Sequence, residues 1–154
     1  MKIQELNISL NQQNYLEAIY ELCVTHGHAH TKMIAESMGV RMASVTEALR
    51  SLSAKELINY EVRKTITLTK HGEDVARELA KRHKIISDFL HQILGCSMQR
   101  ADEAACRIEH VIDEKLKDRF AEFVQFLKKE SEQGEDLIGK FQKSYQDMLE
   151  RQNG

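Results

Sequence analysis

Thr31-Lys-Met-Ile-Ala-Glu-Ser-Met38-Gly39-Val40-Arg41-Met42-Ala-Ser-Val45-Thr-Glu-Ala-Leu49-Arg-Ser-Leu52-Ser53 reads as two helices across a tight turn. Thr31 is placed to cap the first, Lys32 to Met38, and Gly39 turns the chain. Val40 is expected to plug the space between the two helices. The second runs from about Met42 to Ser53, with Val45, Leu49 and Leu52 inward at helical spacing. Ala35, Gly39 four residues on and Val45 six beyond fit a helix-turn-helix. Arg41, Ala43, Ser44, Thr46, Glu47 and Arg50 then face outward. Small and hydroxyl side chains at the N-terminal end of a helix let it approach phosphates and base edges closely. An ordinary helical hairpin carries the same apolar spacing, so the flanking segments decide.

Downstream, Leu57-Ile-Asn-Tyr-Glu61 and Thr65-Ile-Thr-Leu-Thr69 are short β-type runs, with Arg63 and Lys64 in the connection. A two-stranded wing with a basic tip after a recognition helix makes the unit a winged helix-turn-helix, and Arg63 and Lys64 are then contacts to sugar-phosphate. Charge agrees with this. From His28 to His71, seven Lys or Arg stand against four Asp or Glu, a local balance of +3 in a chain of net charge −2. A basic segment in an acidic chain points to an anionic partner, and double-stranded DNA fits best.

Met1 to Leu10 reads as a short arm, and a helix is expected from Asn11 to about Thr25 with Tyr15, Ile19 and Leu22 as its apolar stripe. Asn14, Glu17 and Glu21 fall on another face. Gly27 ends this helix; His26, His28 and His30 sit in a turn without a nearby carboxylate. A long helix is expected from Lys70 to about Leu94, with Val75, Leu79, Ile86, Phe89, Leu90 and Ile93 buried and His83 on or beside that side. Gly95 breaks it, and Ser97 caps a helix ending near Val111 or Ile112. That helix carries Cys106-Arg-Ile-Glu-His110. Cys106, Glu109 and His110 stand at i, i+3 and i+4, so a thiolate, a carboxylate and an imidazole share one face. Such a set can hold a transition metal from one element; a buried Cys beside a surface Glu-His pair has the same spacing. Asp113 caps a further helix marked by Leu116, Phe120, Phe123, Val124 and Leu127. Lys128 to Gly134 reads as a linker, and Glu135 to Gln152 as a last amphipathic helix. The paired amphipathic helices suggest a homodimer interface. The expected architecture is mainly α: a winged helix-turn-helix of three helices and a two-stranded wing over 1–71, then an all-α dimerisation and metal-binding domain over 72–154.

Composition narrows the class. The 154 residues include no Pro and no Trp, 42% are hydrophobic, and 30% are charged with mixed sign, which suits long helices in a folded chain. No apolar run approaches the roughly 20 residues that span a bilayer. The opening residues lack the apolar core of a signal peptide, so a cytoplasmic protein is expected. Cys23, Cys96 and Cys106 form no CxxC pair, which excludes a zinc ribbon and leaves thiols or metal ligands. There is no phosphate-binding loop, dinucleotide fingerprint or nucleophile elbow, and no nucleophile-base-orienter set; the chain is not read as an enzyme.

Together these runs resemble the diphtheria toxin repressor family of metal-dependent transcriptional regulators. The resemblance covers Asn14 to about Leu127. Its signposts are Asn14-Tyr-Leu-Glu-Ala-Ile-Tyr20, the helix-turn-helix at 31–53, Leu68-Thr-Lys-His-Gly72, Arg82-His83 and Cys106-Arg-Ile-Glu-His110. It implies a repressor of metal-ion uptake and homeostasis genes that binds a palindromic operator as a dimer, with Fe(II) or Mn(II) as co-repressor. It implies metal ligands at Asn14, Glu17, His83, Cys106, Glu109 and His110. The match is a hybrid: Cys106 is the choice of the iron branch and Glu17 of the manganese branch. Members commonly place Met or Asp where this chain has Asn14, and Ser87 and Asp102 replace further iron-branch ligands. The chain resembles the short form without an SH3-like domain, its final helix packing on the dimerisation domain instead. A metal joining α-helical ligands from both halves would set two recognition helices about one DNA turn apart, roughly 34 Å. Two alternatives stay open: a winged-helix regulator switched by oxidation of Cys96 and Cys106, and a metalloenzyme using Cys106 or His83.

Overall fold

In a computed structural model the chain is described over residues 6–153; the first five residues of the expected N-terminal arm lie outside that range. The chain divides into two compact units between Ala80 and Lys81.

The first unit contains α1 (Leu10–His26), α2 (Thr31–Met38), α3 (Met42–Ala54), β1 (Ile58–Asn59), β2 (Thr67–Leu68) and the first turns of α4 (Lys70–Asp88). Helix α1 begins before the expected Asn11 because Ser9 caps it. The Ser9 hydroxyl accepts from the Gln12 N–H, and the Gln12 side chain accepts from the Ser9 N–H at 2.8 Å, a reciprocal capping box. Gly27 and Gly39 adopt left-handed conformations at the ends of α1 and α2. Two local expectations need correction. Thr31 is the first residue of α2, and His30 holds the cap position without a side-chain bond. Val40 is 38% exposed, so it does not plug the helix pair; Ile34, Ala35, Val45, Leu49 and Leu52 fill that space with Leu16 and Ile19 of α1.

The wing is shorter than its sequence suggests. Ile58 pairs with Leu68 and Asn59 with Thr67, antiparallel, and the regular ladder ends there. One further bridge joins Ile66 to Ala29, in the loop before α2, through N–H···O contacts of 2.9 and 2.8 Å. The wing therefore hangs from the helical core at its base. Leu57 folds back on the start of α4: its carbonyl accepts from the Thr69 N–H at 3.1 Å. A Cβ at Gly72 would stand 1.7 Å from that same oxygen, so only glycine allows the approach.

The second unit holds the rest of α4, α5 (Met98–Ile108), α6 (Glu114–Glu132) and α7 (Leu137–Asn153). Helix α4 stops being regular at Asp88 and widens into a π turn over Phe89–Ile93 before Gly95 turns the chain. The turn lets one helix serve two apolar clusters. Ile86 and Leu90 join Ala105 and Ile112, whereas Phe89, Ile93 and Leu94 join Val124, Leu127, Leu137 and Ile138. Helix α5 ends at Ile108, earlier than expected. Helix α6 runs through most of the expected linker to Glu132: Leu127 is buried, the Lys and Glu residues after it are good helix formers, and Gly134 at φ 96° ends the segment. Asp136 accepts from the Gly139 N–H at 2.8 Å at the start of α7. Among the described residues no helix is long and apolar enough to cross a membrane.

Candidate functional site

The ligand-bearing run lies at the C-terminal end of α5. Glu109 is its C-cap, yet keeps helical φ and ψ of −56° and −29° and donates its N–H to Ala105 O. The shared face expected for Cys106, Glu109 and His110 therefore survives although the helix ends early. One ligand atom from each of the three lies within 4.8 Å of the others. Cys106 is exposed, whereas Glu109 is 1% exposed.

His83 comes to this group from α4. Its Nδ1 is 2.8 Å from Glu109 Oε2 and its Nε2 is 2.8 Å from Asp102 Oδ1. The other Glu109 oxygen, Oε1, is 3.3 Å from His110 Nε2. A carboxylate buried to this degree thus has an imidazole beside each oxygen. The approach of Oε2 to His83 does not satisfy hydrogen-bond geometry, so a buried anionic oxygen lacks a directed donor. Such an atom is costly unless a charge compensates it. Cys106, Glu109 and His110 together offer a thiolate, a carboxylate and an imidazole suited to a divalent transition metal, His83 touches the same carboxylate, and the undirected oxygen fits a cation beside it.

The two imidazoles differ. The Glu109 carboxylate beside Nδ1 raises the His83 pKa to about 9, with Asp102 adding to it and burial opposing it. Burial lowers that of His110, outweighing the attraction of Glu109. Beneath the site, Arg82 is 3% exposed. It donates to the Glu109 carbonyl at 3.3 Å and pairs with Glu114, which Lys117 also holds at 2.7 Å. A cation thus satisfies a carbonyl at the end of α5 and fixes the turn from which Glu109 and His110 project. Burial raises the Glu114 pKa, but Lys117 and Arg82 outweigh it and hold the carboxyl below its ordinary value.

The sequence marked Arg82 only as part of the Arg82-His83 run, with no role beside the site, and did not single out Glu114 or Lys117. A signal existed for the first: Leu79, Arg82 and Ile86 are spaced three and four apart, so Arg82 occupies the apolar stripe. Asn14 and Glu17 lie on α1 in the first unit, about one turn apart and half-buried. No disulfide joins Cys23, Cys96 and Cys106.

On α3, Arg41, Ser44, Glu47 and Arg50 are exposed. Thr46 differs from the expectation of an outward hydroxyl: it is half-buried, and its Oγ1 donates to the Met42 carbonyl at 3.0 Å. Met42, unremarked in the sequence, is 54% exposed beside Arg41. Arg41 makes no side-chain cap, so the first N–H groups of α3 are not covered by one. At the wing tip Arg63 sits at φ 67° and Lys64 pairs with Glu61 at 2.5 Å, all of them exposed.

Two family models match the chain. The iron dependent repressor N-terminal DNA binding domain covers residues 7–66, and the iron dependent repressor metal binding and dimerisation domain covers 69–137. An HTH-type transcriptional regulator MntR of Bacillus subtilis is 29% identical over 143 residues, 93% of this chain and 96% of its own length. The MntR of Lysinibacillus sphaericus is 31% identical over 134 residues, 87% of this chain and 93% of its own. Among solved structures, T. acidophilum IdeR aligns with TM-score 0.67 and 27% identity over 73% of this chain. The manganese regulator SloR aligns with TM-score 0.67 and 28% identity over 77%. The chain spans 53% and 55% of the length of those two solved chains. The thiol-switch alternative gains no support from these relatives. A winged helix-turn-helix followed by a helical unit with a clustered Cys, Glu and His set, matched by the two models over residues 7–66 and 69–137, has one reading: the chain belongs to the iron-dependent, or diphtheria toxin, repressor family, metal-dependent transcriptional regulators that bind DNA and dimerise.

Proposed function

We propose that this chain represses metal-ion uptake and homeostasis genes by binding a palindromic operator as a dimer when it is loaded with Fe(II) or Mn(II). Residues 1–71 are assigned to DNA binding and 72–154 to dimerisation and metal binding. The observation that carries the reading is the buried Glu109 carboxylate flanked by His83 and His110 with Cys106 alongside, in the unit that follows a winged helix. Cytoplasmic residence follows from DNA as the partner.

His83, Cys106, Glu109 and His110 are the proposed ligands of the second unit, and Glu17 with Asn14 those drawn from α1. A bound divalent cation would supply positive charge that compensates the Glu109 carboxylate. Cys106 favours softer ions and Glu17 and Glu109 tolerate Mn(II), so the donor set favours Fe(II) without excluding manganese. Relatives described as manganese-dependent, and one carrying Zn2+, support a divalent ion of this size range. Arg41, Ser44, Glu47 and Arg50 are assigned to the groove, with Thr46, whose hydroxyl is turned to the Met42 carbonyl, beside them, and Arg63 and Lys64 to the backbone. The exposed N-terminal end of α3 favours the first set, and the backbone of Arg63, held in a left-handed conformation at the wing tip, favours the second.

Discrimination requires the loaded state to favour DNA: a tenfold gain in operator affinity needs about 1.4 kcal/mol of differential binding. Fluorescence anisotropy on a palindromic operator, with Fe(II), Mn(II) or chelator, tests this. The loaded protein is expected to bind at least tenfold more tightly, and Glu109→Ala with His110→Ala to remove the difference. Equal binding with and without metal sinks the reading. Glu17→Ala tests the α1 assignment: it is expected to weaken the response of DNA binding to metal while leaving metal-free DNA binding unchanged.

A further inference from the structure

We propose that Asp102 is a positioning residue for the metal centre: its carboxylate accepts the His83 Nε2–H and thereby leaves Nδ1 as the ligating nitrogen on the Glu109 side. This rests on the metal-binding reading above. The His83 ring lies between two acids, Glu109 Oε2 2.8 Å from Nδ1 and Asp102 Oδ1 2.8 Å from Nε2. The acids are not equivalent. Glu109 is buried and belongs to the cluster with Cys106 and His110. The Asp102 side chain is 64% exposed and contributes no atom to that cluster.

A neutral imidazole offers one N–H and one lone pair, so one nitrogen ligates while the other donates. The lone pair serves a cation only on the side where the other donors are gathered, which is the Nδ1 side. The N–H is then on Nε2, and Asp102 stands at hydrogen-bond distance from it. A carboxylate on the outer nitrogen fixes both the tautomer and the ring plane of a ligating histidine and raises its basicity. Placement on the helix makes this economical. Asp102 precedes Cys106 by four residues on α5, so the element that presents Cys106 and Glu109 also presents the acceptor that orients His83 of α4.

The test uses full-length protein labelled with 15N-histidine and loaded with Zn(II) as a diamagnetic probe. Long-range 1H–15N spectra, with His83→Gln to identify the resonance, read which nitrogen carries the proton. The wild type is expected to show a protonated Nε2 and a metal-bound Nδ1. Asp102→Ala is expected to lose the single tautomer and to weaken Zn(II) binding about 10–100-fold by chelator competition. Asp102→Glu is expected to recover part of that loss. Thermal unfolding of the metal-free Asp102→Ala variant is expected to stay near wild type, since the side chain is mostly exposed. Zn(II) bound through Nε2, or affinity within twofold of wild type with the tautomer unchanged, overturns the role of Asp102. Co(II) loading separates the two levels: thiolate-to-metal absorption from Cys106 in the wild type upholds the metal centre even when Asp102 proves inert, and its absence overturns both.

Discussion

Gly72→Ala is expected to destabilise the winged-helix unit more than substitution of a glycine at positive φ. The added methyl would lie 1.7 Å from Leu57 O, 2.7 Å from Leu57 C and 3.1 Å from Leu57 Cα. A carbon–oxygen contact needs roughly 3.3 Å, so one backbone must retreat by about 1.6 Å. No rotamer relieves this, because all three atoms are main chain. Retreat of the Leu57 carbonyl breaks its 3.1 Å bond from the Thr69 N–H. Leaving such a group unpaired costs about 1–3 kcal/mol and the overpacking another ~1–3 kcal/mol. The intrinsic preference of a helix for Ala over Gly returns about 0.5–1 kcal/mol. The net loss is about 1–5.5 kcal/mol, centred near 3, a large share of the ~5–15 kcal/mol of a typical domain. Gly39, at φ 65° with nothing within 4 Å of its missing Cβ, provides the comparison: Gly39→Ala carries only the left-handed penalty of about 1–2 kcal/mol. Urea unfolding followed by circular dichroism measures both, with the slope checked for constancy. A Gly72→Ala midpoint at or above that of Gly39→Ala refutes the steric argument.

Three further outcomes are expected. In chelator-treated protein, the raised pKa of His83, about 9 against 6.5, means the folded state holds that proton more tightly. The contribution is full below pH 6.5 and is lost as pH rises to about 9, so stability declines across that window and His83→Gln flattens the decline; a profile identical in wild type and variant contradicts it. Arg82→Met leaves the Glu109 carbonyl and Glu114 without the guanidinium and is expected to lower stability by about 3–5 kcal/mol in thermal or urea unfolding, a loss below ~1 kcal/mol counting against the clamp. Arg63→Gly relieves a left-handed residue, so stability is expected to stay within about 1 kcal/mol, while the slope of log K against log salt for DNA falls by about 0.9; an unchanged slope removes Arg63 from the phosphate contacts.

Apolar periodicity made much of this legible. Val45, Leu49 and Leu52 announced the inward side of α3, and all three are fully buried. The face shared by Cys106, Glu109 and His110 followed from helical geometry alone. Features set by tertiary contact were not legible. The π turn is one, since nothing local in Phe89-Leu-His-Gln-Ile93 departs from an α pattern and two clusters on different sides demand the extra residue. Val40 is another: it followed a turn glycine and looked inward, but Ile34 had already filled the space. The Ser9 cap is written in the sequence as Ser-x-x-Gln, inside the stretch expected to be an arm. The burial of Lys117 had no sequence signal; it follows from the carboxylate of Glu114 one turn earlier, itself drawn in by Arg82.

The bridge between Ala29 and Ile66 has a consequence for the order in which the molecule assembles. Two strands of two residues each gain too little to persist alone. Their anchor lies 37 positions away along the polypeptide, and closing so wide a loop is entropically unfavourable until α1, α2 and α3 have already condensed. The pairing of the hairpin is therefore expected to follow the condensation of the helices whose core buries Leu57, Ile58 and Ile66. A promoter that gripped Arg63 and Lys64 would hold the exposed tip of a hairpin whose base is sealed into the helical core.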